Sequence, residues 1–288
     1  MFKGVDIDPK GNGLCKIIEQ ITNCARIQNN RKLDLSTVYG VKIYLYIIII
    51  NLQNTMTKKA PDNIKEMFDQ ISPRYVLMNK LMTFGRDRYW RKQLVKFAEI
   101  KNGDRLLDVA TGTGDVIIQA IEDGIELKKS AGVDFSAGML SIAKARLDVP
   151  EIEWIRADAL DLPFKNSKFD AVTSAYLMRN TVNIKTALTE QFRVLKFGGK
   201  IACLDTTPPR KTILSPLIDF YFLKIIPLLG ALIASSKAAY TYLPETTKNF
   251  KTADELKEMM IQAGFQNVSH KKYMFGTIAI HRGTKPKQ

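Results

Sequence analysis

Short apolar runs alternate with amphipathic stretches along the central part of the chain. The apolar runs are Arg105–Ala110, Ser130–Asp134, Glu153–Ala157, Phe169–Ala175 and Lys200–Asp205. The stretches with helical spacing are Asp115–Ile121, Ala137–Leu147 and Ile184–Leu195, and Gly198-Gly199 is expected to close the last of them. This alternation predicts an α/β fold, with a parallel sheet covered by helices on both faces.

A different pattern follows near the end of the chain. One further helix is predicted from Thr252 or Asp254 to Ala263, and Gly264 stops it. The strand-like runs Phe265–Lys272 and Met274–His281 have a very short link, which predicts an antiparallel hairpin. The five parallel strands and this hairpin make seven strands.

Two predicted helical segments flank the alternating block. Residues 56–103 contain three predicted helices, which are Asn63–Gln70, Tyr75–Met82 and Arg86–Ala98. In the third helix we expect Arg91 on the outer face. The apolar run 213–234 approaches the length of a membrane span, but Pro216, Asp219 and Lys224 fall inside it. We therefore predict a helical insert over residues 206–250 that faces an apolar substrate or a membrane surface.

Residues 1–55 differ from the rest of the chain. They hold two of the three cysteines and the apolar run Ile43–Ile50, which is too short to span a bilayer. We expect this segment to be a disordered or non-native extension. Residues 56–288 are expected to form a single domain.

A glycine-bearing turn follows the first predicted strand. It reads Asp108-x-x-x-Gly112-x-Gly114, and glycine lets the backbone approach a ligand closely. Ile117 occupies the third glycine position of the dinucleotide fingerprint, and no phosphate-loop lysine follows. The next two predicted strands end near Asp134 and Asp158. The strand ends at Asp108/Gly112, Asp134 and Asp158 therefore meet at one edge of the sheet. This pattern resembles motif I of class I S-adenosylmethionine-dependent methyltransferases.

The net charge of +14 is unevenly distributed. Residues 106–203 carry 12 basic and 13 acidic side chains, whereas residues 56–105 and 204–288 each carry 12 basic and 6 acidic. A nucleic-acid binder, an enzyme on an anionic membrane and an ordinary lysine-rich surface all fit this distribution. The cysteines lack paired metal spacing, so we expect no metal and infer a reducing, cytoplasmic location.

Motifs spread over residues 61–287 resemble the ubiquinone/menaquinone biosynthesis C-methyltransferases. They include the following segments: Met67-Phe68-Asp69 with Ile71-Ser72 and Tyr75; Leu107–Asp115; Ala157-Asp158-Ala159; Arg179-Asn180; Tyr240-x-Tyr242-Leu243-Pro244-Glu245; and His281-Arg282-Gly283. The resemblance implies a Rossmann-like, seven-stranded class I methyltransferase sheet with a helical substrate-side cap. Asp205-Thr206 departs from the Glu-Phe pair that is more usual in the family.

The same resemblance implies S-adenosylmethionine as cofactor and a polyprenylated demethylnaphthoquinol as substrate. Thr113 with the Gly112 and Gly114 backbone would hold the amino-acid end of the cofactor, Asp134 the ribose, and Asp158 with Ala159 the adenine. Asp108 belongs to the same cofactor motif. Arg179 is the candidate partner of the phenolate, and His281 is the candidate titratable base. Tyr75, Asn180, Tyr240 and Tyr242 are expected to line the quinol pocket.

Two alternatives remain open. The substrate could be a benzoquinol of ubiquinone biosynthesis, or the protein could bind the cofactor without turnover. A nucleic-acid partner is not expected, because Ser174-Ala175-Tyr176-Leu177 lacks the Pro-Pro-aromatic signature of base amino-methylation. We expect peripheral contact with the inner face of the cell membrane, and a homodimer is left open.

Overall fold

A computed structural model describes residues 61–208, 220–233 and 237–287. The chain divides into two units, residues 1–58 and 59–288, and the described residues all belong to the second. The predicted extension over residues 1–55 lies outside the described residues.

Seven strands form one mixed sheet in the order β3-β2-β1-β4-β5-β7-β6. The strands are β1 (Leu106–Val109), β2 (Ser130–Asp134), β3 (Ile152–Arg156), β4 (Phe169–Ala175), β5 (Leu195–Thr206), β6 (Gln266–Tyr273) and β7 (Ile278–Thr284). Strands β1 to β5 are parallel, and β7 runs antiparallel to both β5 and β6. The predicted α/β class and the terminal hairpin are confirmed.

Nine α-helices pack around the sheet within the described residues. They are α1 (Pro61–Ile71), α2 (Tyr75–Met82), α3 (Arg86–Phe97), α4 (Asp115–Glu122), α5 (Ala137–Arg146), α6 (Ile184–Val194), α7 (Ile226–Ile233), α8 (Lys237–Lys248) and α9 (Ala253–Gln262). A π-helical turn, Tyr221–Ile225, leads into α7. No helix in the described ranges is long and apolar enough to cross a membrane.

Apolar side chains of the central strands are buried on both faces of the sheet. Leu107 and Val109 of β1 belong to one apolar cluster, which includes Leu188 of α6 and Leu256 of α9. Leu106 belongs to the cluster on the opposite face, which includes residues of α3 and α4. Such double burial is typical of parallel sheets in α/β proteins.

Trp154 of β3 packs against two positions that only glycine can occupy without rearrangement. A Cβ added to Gly132 of β2 would lie 2.5 Å from the Trp154 ring, and one added to Gly114 would lie 2.8 Å from it. The indole Nε1 donates a hydrogen bond to the carbonyl oxygen of Leu147, which fixes the ring in place. The glycine turn after β1 is therefore held against the sheet by an aromatic side chain from β3.

Gly198 and Gly199 lie inside a strand, so the prediction that they close a helix is wrong. Helix α6 ends at Val194, and β5 begins at the next residue. A Cβ on Gly199 would lie 2.8 Å from the carbonyl oxygen of Asp170. The register between β4 and β5 shifts in the same region, and the glycines allow the two backbones to approach closely there.

Arg91 is buried, which corrects its predicted place on the outer face of α3. Its guanidinium pairs with Asp87 one turn earlier and lies 3.2 Å from the Asp115 carboxylate at the start of α4. Burial alone would lower the pKa of Arg91, but the carboxylate of Asp115 raises it above the ordinary value. The pair joins the N-terminal helices to the helix that follows the glycine turn.

The helices before β1 and after β5 form a cap over the carboxyl ends of the strands. A third apolar cluster includes Ile71, Met78, Met139, Ile226 and Tyr240, which come from α1, α2, α5, α7 and α8 respectively. Within the predicted insert, residues 220–233 and 237–248 are helical. The remaining part of the apolar run lies outside the described residues.

Candidate functional site

A cavity of about 470 Å³ opens at the carboxyl ends of β1 to β4. We call it the strand-end cavity. Of the predicted cofactor residues, it is lined by Gly112, Asp134, Asp158 and Ala159. It lies where the strand order reverses, between the β1-β2-β3 half of the sheet and β4. In open α/β sheets this reversal point is where ligands bind.

Asp134 connects the glycine turn to the start of α5. One carboxylate oxygen accepts the backbone N–H of Gly112 at 2.8 Å, and the other accepts the backbone N–H of Ser136 at 2.9 Å. Burial raises the pKa of Asp134 to about 6, although these backbone donors oppose the shift. A carboxylate oxygen can accept a second hydrogen bond, so Asp134 can still receive ligand hydroxyl groups.

Asp158 and Ala159 lie in a tight turn just after β3. The Asp158 carboxylate accepts a hydrogen bond from the backbone N–H of Leu160 at 2.9 Å. The backbones of Asp158 and Asp161 form an isolated antiparallel β-bridge. This turn brings both residues to the wall of the cavity.

Asp108, Thr113 and Gly114 lie behind the cavity wall. The Asp108 carboxylate accepts the hydroxyls of Thr111 and Thr173, each at 2.7 Å, and burial raises its pKa to about 7. The Thr113 hydroxyl donates to Asp115 at 2.8 Å. These three residues hold the shape of the turn, and none of them is among the residues that line the cavity.

The backbone is strained at two points where the sheet meets the cavity. Ala110 after β1 has φ +57°, and Tyr176 after β4 has φ +59°. Side chains with a Cβ rarely adopt this conformation, and it concentrates at functional sites. Tyr176 was missed by the sequence reasoning, because nothing in the local pattern marks the residue after a strand as strained.

A second, smaller cavity of about 100 Å³ lies beneath the cap. We call it the cap cavity. Most of its wall is apolar or aromatic. The polar groups come from Asn79, Thr83, Arg179, Asn180, Thr206 and Thr277, besides the tyrosine hydroxyls. Among the residues that the structure describes, four line both cavities, namely Phe68, Tyr75, Tyr176 and Asn180. The two cavities therefore adjoin at these side chains.

Arg179 reaches the cap cavity and is held from behind by Asp205 of β5. Its Nε lies 3.5 Å from Asp205 Oδ1, and its backbone N–H donates to Asp205 Oδ2 at 3.1 Å. Burial raises the pKa of Asp205 to about 6, and the Arg179 charge opposes that shift. The buried Nη1 of Arg179 has no hydrogen-bond partner within the described part of the chain.

The other predicted substrate residues also line the cap cavity. Asn180 donates from Nδ2 to the Tyr176 carbonyl oxygen at 2.8 Å. The hydroxyls of Tyr240 and Tyr242 are buried without a hydrogen-bond partner among the described residues. Burial raises the pKa of Tyr75 and of both these tyrosines. A buried hydroxyl without a partner favours a ligand that can supply one.

His281 lies apart from both cavities. It is buried in β7, where its Nε2 lies 2.8 Å from the Ala253 carbonyl oxygen and its ring centre is 5.1 Å from that of His270. Burial lowers its pKa to about 4. It is not among the residues that line either cavity, so we do not retain it as the base.

Asp69 of α1 is a second residue that the sequence reasoning missed. It accepts hydrogen bonds from the Ser136 hydroxyl and from the backbone N–H of Gly138 at 3.2 Å. Its contacts lie more than 60 residues away in sequence, so only the fold reveals them. Through them the cap helix α1 is fastened to the first turn of α5.

The strand-end cavity fits an adenosyl cofactor. Gly112 has φ +54°, and a Cβ added to it would meet no protein atom within 4 Å, so the space in front of the turn is open for a ligand. The volume lies within the range of small-molecule sites. A reversal-point cavity with a glycine turn, two carboxylates and an antiparallel β7 defines a class I S-adenosylmethionine-dependent methyltransferase.

The comparisons with known proteins make this assignment specific. The chain belongs to the ubiE/COQ5 methyltransferase family, whose model matches residues 55–285. It is therefore a methyltransferase, and S-adenosylmethionine is its cofactor.

Two relatives and one solved structure indicate how close the similarity is. The chain is 46% identical to a ubiquinone/menaquinone biosynthesis C-methyltransferase of Desulfotalea psychrophila, over 79% of this chain and 92% of that protein. It is 42% identical to a demethylmenaquinone methyltransferase of Thermus thermophilus, over 76% of this chain and all of that protein. The fold resembles phosphoethanolamine N-methyltransferase 2 of Haemonchus contortus, solved with S-adenosylhomocysteine, at a TM-score of 0.57, 16% identity and coverage of 78% and 60%.

We predict that Asp134→Asn weakens binding of S-adenosylhomocysteine by about 10- to 100-fold, since hydrogen bonds to a charged group contribute roughly 1.5–3 kcal/mol. Calorimetric titration would measure this effect. Asp161→Asn, at an exposed position nearby, serves as the matched control and should bind normally. Equal affinity in the two variants would contradict a role for Asp134 in cofactor binding.

We predict that His281 makes the protein less stable in acid. Its pKa is lowered to about 4 in the folded state, against about 6.5 when unfolded. The unfolded chain therefore binds more protons below pH 6.5, and the free energy of unfolding falls by about 2 kcal/mol between pH 7.5 and pH 5. Urea unfolding at the two pH values should show a smaller fall for His281→Gln than for the wild type. An identical fall would contradict the assignment.

Proposed function

We propose that this enzyme methylates a ring carbon of a polyprenylated demethylnaphthoquinol to give menaquinol. The observation that carries the proposal is the junction of the two cavities. The strand-end cavity adjoins the narrow, largely apolar cap cavity at Asn180 and at three aromatic side chains, Phe68, Tyr75 and Tyr176. A flat aromatic ring with polar substituents fits the second cavity better than a charged or highly polar substrate does.

The reaction requires little beyond alignment and charge stabilisation. When bound, S-adenosylmethionine supplies a methyl group that its sulfonium already activates. The quinol ring carbon forms the new carbon–carbon bond, the sulfur–carbon bond breaks, and the ring then loses the proton of that carbon to solvent. The tasks of the protein are to hold the ring in line with the methyl group and to stabilise the negative charge on the quinol oxygen.

Arg179 is our candidate for the group that stabilises this oxygen. Its buried Nη1 lacks a hydrogen-bond partner within the described residues, and its side chain belongs to the wall of the cap cavity. A guanidinium keeps its charge in proteins, so Arg179 would act as an electrostatic partner and not as the base. Asp205 orients it and balances its charge.

Tyr240 and Tyr242 are candidates for recognising the second quinol oxygen. Both hydroxyls are buried and unpaired among the described residues, and both side chains line the cap cavity. A substrate with oxygens on opposite sides of one ring can contact Arg179 with one oxygen and a tyrosine hydroxyl with the other.

A naphthoquinol is our first choice over a benzoquinol. Relatives from Lactiplantibacillus plantarum and Thermus thermophilus carry the name demethylmenaquinone methyltransferase, at 38% and 42% identity. The Tyr242-Leu243-Pro244-Glu245 segment resembles those bacterial enzymes. Other relatives carry a name that covers both quinones, so the benzoquinol remains the alternative outcome.

Turnover with labelled cofactor tests the proposal directly. The purified full chain would receive methyl-labelled S-adenosylmethionine with a short-tailed demethylnaphthoquinol or a matching benzoquinol under reducing conditions. We expect label on the naphthoquinol. Label on the benzoquinol alone would move the enzyme to ubiquinone biosynthesis, and label on neither, with cofactor binding intact, would favour a binding module.

We predict that Arg179→Gln lowers kcat by about 100- to 1,000-fold, the usual cost of removing one oxyanion partner. The affinity for S-adenosylhomocysteine should change less than about twofold, since Arg179 is absent from the strand-end cavity. Steady-state kinetics and calorimetry would separate the two effects.

The control for this variant addresses folding. Arg179→Gln leaves Asp205 buried without its charge partner, which is destabilising. The double variant Arg179→Gln with Asp205→Asn removes that carboxylate charge and should fold while staying inactive. Full activity of the folded double variant would disprove the assigned role.

A further inference from the structure

The helices that enclose the cap cavity are apolar on both sides. Tyr75 and Met82 of α2 line the cavity, whereas Leu77 on the other side of that helix is 50% exposed. Ile226 of α7 also lines the cavity, whereas Leu232 is 73% exposed. A helix that faces water usually carries polar residues on its outer side, so this arrangement requires an explanation.

Two exposed phenylalanines extend the same surface at turns beside the cavity. Phe84 is 74% exposed with φ +52°, and Phe275 is 68% exposed with φ +55°. Each directly follows a residue of the cavity wall, Thr83 and Met274 respectively. Aromatic residues rarely adopt this backbone conformation. Here two such turns present large apolar side chains at the rim of one cavity.

The charged side chains of this surface are mostly basic, although Arg88 is paired with Glu122 of α4. Segments 72–90, 220–233 and 273–277 together contain five basic residues and one acidic residue, Asp87. Asp87 is paired with the buried Arg91. Lys80, Arg86 and Lys224 are exposed. The outer side of the cap thus combines apolar and cationic groups.

We propose that this cap face docks on an anionic phospholipid bilayer. We define the cap face as the exposed side chains of segments 72–90, 220–233 and 273–277. The proposal rests on the proposed function, because a polyprenylated quinol keeps its tail in the membrane while its ring enters the cap cavity. Docking the cap face would place that cavity next to the lipid, so that the ring need not cross open water.

The charge pattern favours a bilayer over a second copy of this chain. A symmetric contact through this face would bring Lys80, Arg86 and Lys224 of one copy close to the same three side chains of the other. An anionic lipid surface attracts them instead, and exposed aromatic rings are favoured at the boundary between headgroups and acyl chains.

Vesicle flotation of the full chain tests the proposal. The vesicles would contain either phosphatidylcholine alone or an equal mixture of phosphatidylcholine and phosphatidylglycerol. One variant combines Lys80→Gln, Arg86→Gln and Lys224→Gln, and its control combines Lys101→Gln, Lys144→Gln and Lys165→Gln at exposed positions elsewhere. A second variant combines Phe84→Ser and Phe275→Ser, with Ile261→Ser of α9, 44% exposed, as its control.

We expect the wild type to float with the anionic vesicles and to detach in high salt. Loss of the three cap-face charges should weaken partitioning on the order of 100-fold, at about a fivefold loss per charge. The phenylalanine variant should also bind less, whereas both control variants should float like the wild type. Equal weakening by the two charge variants, or no binding of the wild type, would overturn the proposal. A wild-type dimer that the phenylalanine variant abolishes would assign the face to self-association instead.

Kinetics separate a failure of docking from a failure of the proposed function. Methyl transfer to a short-tailed quinol in solution should be unchanged in the charge variant, and transfer to a long-tailed quinol in anionic vesicles should fall with the loss of binding. Unchanged transfer to the vesicle substrate would refute docking. No transfer to any quinol by the wild type would refute the proposed function, and the flotation result would still decide whether the face binds lipid.

Discussion

The candidate site depends on the two hydrogen bonds that the Asp108 carboxylate accepts. This carboxylate lies inside the sheet at the end of β1. It accepts hydrogen bonds from the hydroxyls of Thr111 in the glycine turn and Thr173 in β4. Burying a carboxylate is costly unless its lone pairs are satisfied, and these two threonines satisfy it. The turn and the neighbouring strand are thereby fixed to one another. The cavity at the reversal point takes its shape from this bond network.

The strand-end cavity and the cap cavity are built from different parts of the fold, although they adjoin. The proposed cofactor contacts come from turns after parallel strands, which the sheet holds in place. The proposed substrate contacts come mainly from helices before β1 and after β5, which pack on one another through their own apolar cluster. A rigid cofactor site and a separately built cap allow one chemistry to serve different substrates. Of the described residues, only Phe68, Tyr75, Tyr176 and Asn180 belong to both walls.

Sequence patterns predicted the features that arise from local spacing. The strand positions followed from apolar runs, and the turn residues Gly112, Asp134 and Asp158 followed from their places after those runs. Long-range contacts could not be predicted in this way. Arg91 is buried because of Asp115, which is 24 residues away, and His281 lies apart from both cavities because of its place within β7. Gly198 and Gly199 were misread because a glycine pair ends a helix or relieves a crowded strand equally well.

The contact between Trp154 and the glycines at 114 and 132 limits how this sequence can change. A larger residue at either glycine position would collide with the indole ring. A smaller residue at 154 would leave a void behind the glycine turn that follows β1. Substitutions at positions 114, 132 and 154 are therefore coupled, since a tolerated change at one position requires a compensating change at another. Descendants of this chain should therefore replace them together or leave all three alone.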